Sequence, residues 1–231
     1  MMDRNDHGLQ VLRDGAQLLG LSVSAVQEQQ FDAFLSEIGL FNRVYKLVAA
    51  EGDELVVKHV LDSIAAVPVF RQLLASQVWD NPQLCDIGSG AGFPGIPLAI
   101  LLEHVHITLV ERSGRRCGFL RNAVAVCNLA SRVEVLEKDL SEVTGNFQLV
   151  TFRAFHPLVD IIRDVGKITS GDSVVCAYKG RLESTDEELQ ELDRLSAMGS
   201  SGSRSGWTAE KVPLQVPFLD APRHMLMLRK R

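Results

Sequence analysis

From residue 83 onward the chain alternates short apolar segments with stretches of helical periodicity, and this alternation restricts its fold more than any other feature. The segments read "QLCDI", a helix near 95–103, "HITLV", a helix near 114–127, "RVEVL", "FQLVTF", a helix near 157–167 and "SVVCAY". Strand and helix in strict succession require right-handed crossovers, so the reading is α/β: a parallel sheet with helices on both faces, a Rossmann-like core. Two last apolar runs, "WTAEKVPLQV" and "HMLMLRK", flank "PFLDAPR" and predict an antiparallel hairpin closing that sheet.

The first 80 residues have a different rhythm. Leu9, Leu12, Ala16 and Leu19 recur at three- and four-residue steps, as do Phe31, Phe34, Leu35 and Ile38. A third helix is expected to start with Asp53 as N-cap and to run through "ELVVKHVLDSIAAV" towards Pro68. The division is therefore a helical N-terminal cap over 1–80 and a Rossmann-like core over 81–231. Between the acidic helix of 183–194 and the hairpin, "GSSGSRSG" at 199–206 reads as a loop tip.

Composition excludes several classes. No apolar run approaches the roughly 20 residues needed to cross a bilayer, and "MMDRNDHGLQ" has neither the basic nor the apolar part of a signal peptide, so a cytoplasmic location without membrane contact is expected. The four cysteines, Cys85, Cys117, Cys127 and Cys176, show no CxxC spacing and lie in apolar segments, as buried thiols do. His104 and His106 have no third ligand nearby in sequence, and no metal is assigned. A formal net charge of −5 argues against coating free nucleic acid by bulk attraction. Base is nevertheless concentrated locally, in "RSGRR" at 112–116 with Arg121, in Lys179 and Arg181, and in the final "RKR".

The loop "GSGAGFPG" carries four glycines in eight positions, Gly88, Gly90, Gly92 and Gly95. Side chains are absent where a backbone turns sharply or meets a ligand closely, which suggests a nucleotide-like cargo. Gly90, Gly92 and Gly95 formally match GxGxxG, but the strand ends at Ile87, which makes Gly88 the first loop glycine and puts bulky Phe93 where a dinucleotide site needs glycine. Glu111 ends the second strand, where an acid can accept both ribose hydroxyls, and Asp139 follows the third, where it can meet an adenine edge. Arg153 at the fourth strand can touch a carboxylate or an incoming nucleotide, the alternative being an ion pair to Asp86 or Glu111. Phe155 is a candidate for stacking on a base, and Lys179, Arg223 and His224 are candidates for RNA phosphate. His59, Asp62 and Ser63 share one helix face and read as a wall between cap and loop.

"KHVLDSIA", "CDIGSGAGFPGIPLAI", "FRAFHPL", "YKG" and "LQVPFLDAPRHML", in this order, resemble the bacterial small-subunit ribosomal RNA methyltransferase G family, also called glucose-inhibited division protein B. The resemblance covers nearly the whole chain. It implies a class I S-adenosylmethionine-dependent enzyme that methylates N7 of one guanine of 16S rRNA, with 16S rRNA within the small ribosomal subunit as partner; apart from the resemblance, a monomer is expected. Carried over by position, it assigns the cofactor to Gly88, Phe93, Asp139, Leu140 and Arg153; the glycine loop adds Gly90 and the strand-end argument adds Glu111. The chain departs from the family at Lys46 and Val48 of "YKLV", at Phe152, and around Lys138 to Leu140.

Guanine N7 carries a lone pair and no proton, so its methylation needs alignment rather than a base. No catalytic residue is assigned; Arg153, Lys179 and His224 are positioning candidates. The (Asp/Asn)-Pro-Pro-aromatic box of amine methylation is missing after the fourth strand, and Cys176 lies in an apolar strand rather than in a nucleophile's loop. Three other readings remain open on the residues: a methyltransferase acting on a small molecule or protein, an NAD-dependent oxidoreductase using the Gly90 register, and a non-enzymatic rRNA-binding factor.

Overall fold

The computed structural model describes residues 4–77, 79–198 and 206–231. Five strands, β1 (Gln83–Ile87), β2 (His106–Glu111), β3 (Val133–Glu137), β4 (Leu149–Arg153) and β5 (Val174–Lys179), pair in parallel. The hairpin of β6 (Trp207–Leu214) and β7 (Arg223–Lys230) completes a seven-stranded sheet in the order β3-β2-β1-β4-β5-β7-β6. β7 runs antiparallel to β5, in the register that sets Lys179 opposite His224. The order reverses between β1 and β4, and there the carboxyl ends of the strands open a crevice.

Strand residues alternate between two faces, both of them covered, which is why these strands read as continuous apolar runs. Cys85, Ile87, Val150, Phe152, Val175 and Ala177 bury against α8 (Leu158–Lys167) and α9 (Leu182–Met198). Leu84, Leu109, Leu149, Cys176 and Tyr178 face the other way, towards α6 (Gly95–Leu101), α7 (Gly114–Val126) and the N-terminal helices.

Those N-terminal helices are α1 (Arg4–Leu18), α2 (Ala25–Tyr45), α3 (Gly52–Leu55), α4 (Asp62–Ile64) and α5 (Val67–Ser76). Ser24 and Gln27 form a reciprocal capping box at the start of α2, and the Gln27 amide also donates to the Ile100 carbonyl at 3.2 Å, which ties the helix end to α6. Residue 80 marks a change of secondary structure, yet the buried side chains form one cluster across it: Leu12, Phe31, Phe34 and Phe70 join Leu84, Ile96 and Phe119.

The third helix differs from the sequence expectation. It begins at Gly52 after Glu51, so Asp53 lies inside the first turn rather than at the N-cap, and its carboxylate turns to His7 at 2.8 Å. Between α3 and α4 the helix widens to π geometry over Val56–Leu61, the turn that carries Lys58 and His59. It ends before Ala65 and Ala66, and Pro68 sits in the opening turn of α5, where a missing N–H leaves no bond unmade. Of the expected loop tip at 199–206, all but Gly206 lies outside the described residues. No helix among the described residues is long and apolar enough to cross a membrane.

Because cap and sheet share this cluster, a cavity made in one should weaken both. Phe34 is fully buried and its ring lies 5.2 Å from that of Phe93 in the glycine loop. Phe34→Ala is expected to cost about 3–5 kcal/mol in urea unfolding and to leave one cooperative transition with an unchanged m-value. Two separated transitions would show that the cap unfolds independently.

Candidate active site

The glycine loop is tied down from below by backbone and carboxylate groups. Gly88 and Ser89 both donate their N–H to the Val110 carbonyl, at 2.9 and 3.0 Å, pulling the turn against β2. Glu111 is buried; its Oε2 accepts the Gly90 N–H at 3.1 Å and its Oε1 accepts the Ser113 N–H at 2.9 Å. Asp86, fully buried at the end of β1, accepts the Gly95 N–H at 3.1 Å through Oδ2, and its Oδ1 has no hydrogen-bond partner. Burial pushes this carboxyl up to about 7, although bonds from Ser89 and Gly95 oppose the shift.

Gly88 and Gly90 both have positive φ, +68° and +55°, a region that side chains rarely enter. A Cβ on Gly90 would meet nothing nearer than the Gly88 carbonyl at 3.7 Å, so the loop presents bare backbone to open space. A Cβ on Gly88 would fall 2.3 Å from the Phe155 ring, which covers that residue.

Two cavities meet at this point. The smaller, about 200 Å³, is lined by Val110, Glu111, Arg116, Lys138, Asp139 and Leu140; the larger, about 740 Å³, extends from the loop under the cap. Both share Gly88, Arg116, Ala154, Phe155 and His156 as their common wall. Asp139 caps the short 3-10 turn Leu140–Glu142, accepting the Ser141 N–H at 3.1 Å, and bonds from Ser141 hold its carboxyl below the usual range. Each Glu111 oxygen retains a lone pair beyond its backbone contact. Glu111, Asp139 and Leu140 are thus gathered at one end, as the sequence placed them.

Arg153, the last residue of β4, organises the larger cavity. It does not pair with Asp86 or Glu111. Its Nη1 donates to Asp62 Oδ2 at 2.7 Å and to the Lys58 carbonyl at 3.1 Å, and its Nη2 lies 2.8 Å from His59 Nδ1. Asp62 also accepts from Arg223 Nε at 3.0 Å, so one buried carboxylate joins the cap to β4 and β7. The Phe93 ring lies under this group, with His59 stacked at 5.1 Å and the Arg153 guanidinium 5.4 Å from its centroid. Burial, and next the positive field of Arg153, lower His59 to about 4, so the imidazole is neutral. His59 and Asp62, read from the sequence with Ser63 as a wall, line the larger cavity beside the loop and also clamp Arg153, whereas Ser63 donates to the His59 carbonyl at 2.6 Å; the signal for the clamp was a histidine and an aspartate at i and i+3 in "KHVLD".

Two further candidates move away from solvent. Lys179 lines the larger cavity but its ammonium is engaged by Glu188, with only 14% of the side chain exposed. His224 is a correction: it is 3% exposed, with Nδ1 on the Gly180 carbonyl at 3.1 Å and Nε2 on Thr185 Oγ1 at 3.0 Å. Both nitrogens are used within the fold, because β7 runs inside the sheet, and none remains for phosphate. Ala154 adopts a positive φ of 47°, and on either side of it Arg153 reaches the cap while Phe155 lies against the opposite cluster. Tyr178, absent from the sequence candidates, also lines the larger cavity and donates to the Ser63 carbonyl at 2.7 Å. No cluster of three or more His, Cys, Asp or Glu able to hold a metal occurs among the described residues.

Solved structures share this architecture. A magnesium protoporphyrin IX methyltransferase from Synechocystis with bound S-adenosylmethionine superposes with a TM-score of 0.56 at 14% identity, over 85% of this chain and 97% of that one. A ribosomal protein L11 methylase from Lactobacillus delbrueckii gives 0.52 at 13% identity, over 72% and 79%. The fold is that of the class I S-adenosylmethionine-dependent methyltransferases. A family model described as GidB, rRNA small subunit methyltransferase G, matches residues 27–206. Ribosomal RNA small subunit methyltransferase G of Cupriavidus necator is 32% identical, covering 95% of this chain and 94% of its own, and that of Methylibium petroleiphilum is 33% identical over 96% and 94%. The chain belongs to the rRNA small subunit methyltransferase G family.

Two measurements follow from the loop. The folded state holds the Asp86 proton up to about pH 7 whereas the unfolded chain releases it near 3.8, so this carboxyl's contribution is complete below about 3.8 and is lost as pH rises through about 7. Wild type is therefore expected to lose stability relative to Asp86→Asn between about pH 4 and about pH 7 in denaturant titrations; parallel profiles would mean that the carboxyl is already ionised when folded. Gly90→Ala adds left-handed strain of about 1–2 kcal/mol and a methyl group on the open face. S-adenosylmethionine affinity by calorimetry is expected to fall by about tenfold or more, and unchanged affinity would remove the loop from the cofactor site.

Proposed function

We propose that the chain transfers the methyl group of S-adenosylmethionine to N7 of a specific guanine of 16S rRNA in the small ribosomal subunit. When bound, the cofactor supplies an electrophilic methyl group on a sulfonium sulfur. Guanine N7 has a free lone pair, and what the protein must provide is alignment and a setting that tolerates positive charge on the purine.

The observation that carries this reading is that the acids of the larger cavity are already committed. Asp62 is held between Arg153 and Arg223, and Glu188 is paired with Lys179. Such a site suits a nucleophile that needs no deprotonation, and family membership names rRNA as the acceptor.

Within this reading Gly88, Gly90 and Phe93 cradle the methionine portion, Glu111 takes the ribose, and Asp139 with Leu140 borders the adenine. Arg153 and Arg223, fixed by Asp62, orient the entering nucleotide, and Phe155 closes the joint between the two cavities. Arg112, 4.0 Å from Asp139 and with 75% of its side chain exposed, and Arg116, 3.7 Å from Glu111 and 50% exposed, bring positive charge to the mouth, where it can meet RNA backbone. A cytoplasmic location accompanies the substrate.

Incubation with labelled S-adenosylmethionine and small subunits from a strain lacking this gene, followed by borohydride and aniline cleavage at N7-methylguanine, is expected to cut 16S rRNA at one guanine. Label in protein or in a small molecule, with none in 16S rRNA, would favour another acceptor.

A further inference from the structure

We propose that His59 selects guanine as the acceptor by donating its Nε2–H to the O6 oxygen. This rests on the N7 reading above and adds the residue that recognises the base.

A guanidinium has only donors, so the 2.8 Å contact between Arg153 Nη2 and His59 Nδ1 makes Nδ1 the acceptor and leaves the ring proton on Nε2. The ring is held on two further sides, by its stack on Phe93 and by the widened turn Val56–Leu61. Its Nε2 has no hydrogen-bond partner among the described residues, although His59 is half-buried and lines the larger cavity. The result is a single oriented donor beside the glycine loop.

His59 stands away from the smaller cavity, where Glu111, Asp139 and Leu140 collect. On the major-groove edge of guanine, N7 and O6 are adjacent acceptors, whereas adenine places an amino donor beside N7. A donor next to the reacting nitrogen therefore accepts guanine and opposes adenine. A neutral imidazole also adds no charge against the cation that forms on the methylated base, and burial, with the charge of Arg153 next, keeps it neutral. A carboxylate ligand would find better partners in the cations of the same cavity, Arg116 and Lys58.

The test is a cycle between one substrate atom and one side chain. Small subunits are reconstituted with 16S rRNA carrying either guanine or 2-aminopurine at the target; the latter keeps N7 and lacks O6. Wild type is expected to prefer guanine in kcat/KM by about tenfold or more beyond the preference of His59→Phe, which keeps a stacking ring but has no N–H. His59→Gln, whose amide can both accept from Arg153 and donate, is expected to recover part of that preference. S-adenosylmethionine affinity by calorimetry should stay within about twofold in both variants. Should His59→Phe fail to fold, His59→Leu carries the same comparison.

An equal preference in wild type and variant overturns the assignment, as does a loss of cofactor affinity that accounts for the whole activity change. Failure of wild type to methylate guanine N7 at all would remove the proposed function itself, which distinguishes the two failures.

Discussion

One buried carboxylate joins the helical cap to two strands of the sheet. Asp62 sits on the cap, is 3% exposed, and lies between Arg153 at the end of β4 and Arg223 at the start of β7. Three segments widely separated in sequence are thereby brought to one point above the carboxyl edge of the sheet. A buried ion group of this kind is weak evidence for stability, since desolvation offsets much of the attraction, but removing one partner leaves an uncompensated charge. Its contribution is positional: it sets Arg153, which in turn sets His59, against the ring of Phe93.

The glycine loop depends on a parallel arrangement in which acids serve backbone. Glu111 and Asp86 each accept a loop N–H, from Gly90 and Gly95, so the turn keeps its shape without side chains of its own. This frees its outer surface for close approach by a ligand. The cap contributes again from above, since Phe34 lies against Phe93 and shares the main core with the sheet. Glycine loop and cap are thus a single packed unit, and the larger cavity is the space between them.

Positive charge in this chain is local rather than spread over the surface. The chain is net negative, while exposed Arg112 and Arg116 flank the mouth of the cavities. Binding by bulk attraction would demand more positive charge than the chain carries, whereas local cations beside a shaped cavity give orientation.

Much of this was legible in the sequence because it depends on local periodicity. The alternation beyond residue 83 determined the parallel sheet, and the end of the apolar run at Ile87 determined which glycine opens the loop. The order of Glu111, Asp139 and Arg153 along the chain determined that they meet at one edge, since parallel strands bring their carboxyl ends together. What only the tertiary structure decided were pairings between distant segments and the burial of individual ends. Arg153 had two acids near it in the pattern, Asp86 and Glu111, and chose a third from the cap. His224 had the composition of a phosphate ligand until β7 was placed inside the sheet, where both its nitrogens are consumed. The shift of the third helix start to Gly52 and the widened turn around His59 are equally invisible to periodicity, because the contacts found there, of Asp53 with His7 and of Lys58 and His59 with Arg153, join distant parts of the chain. Local pattern fixes which elements exist and which edge they share; the partner of a buried charge depends on distances that only the packed chain defines.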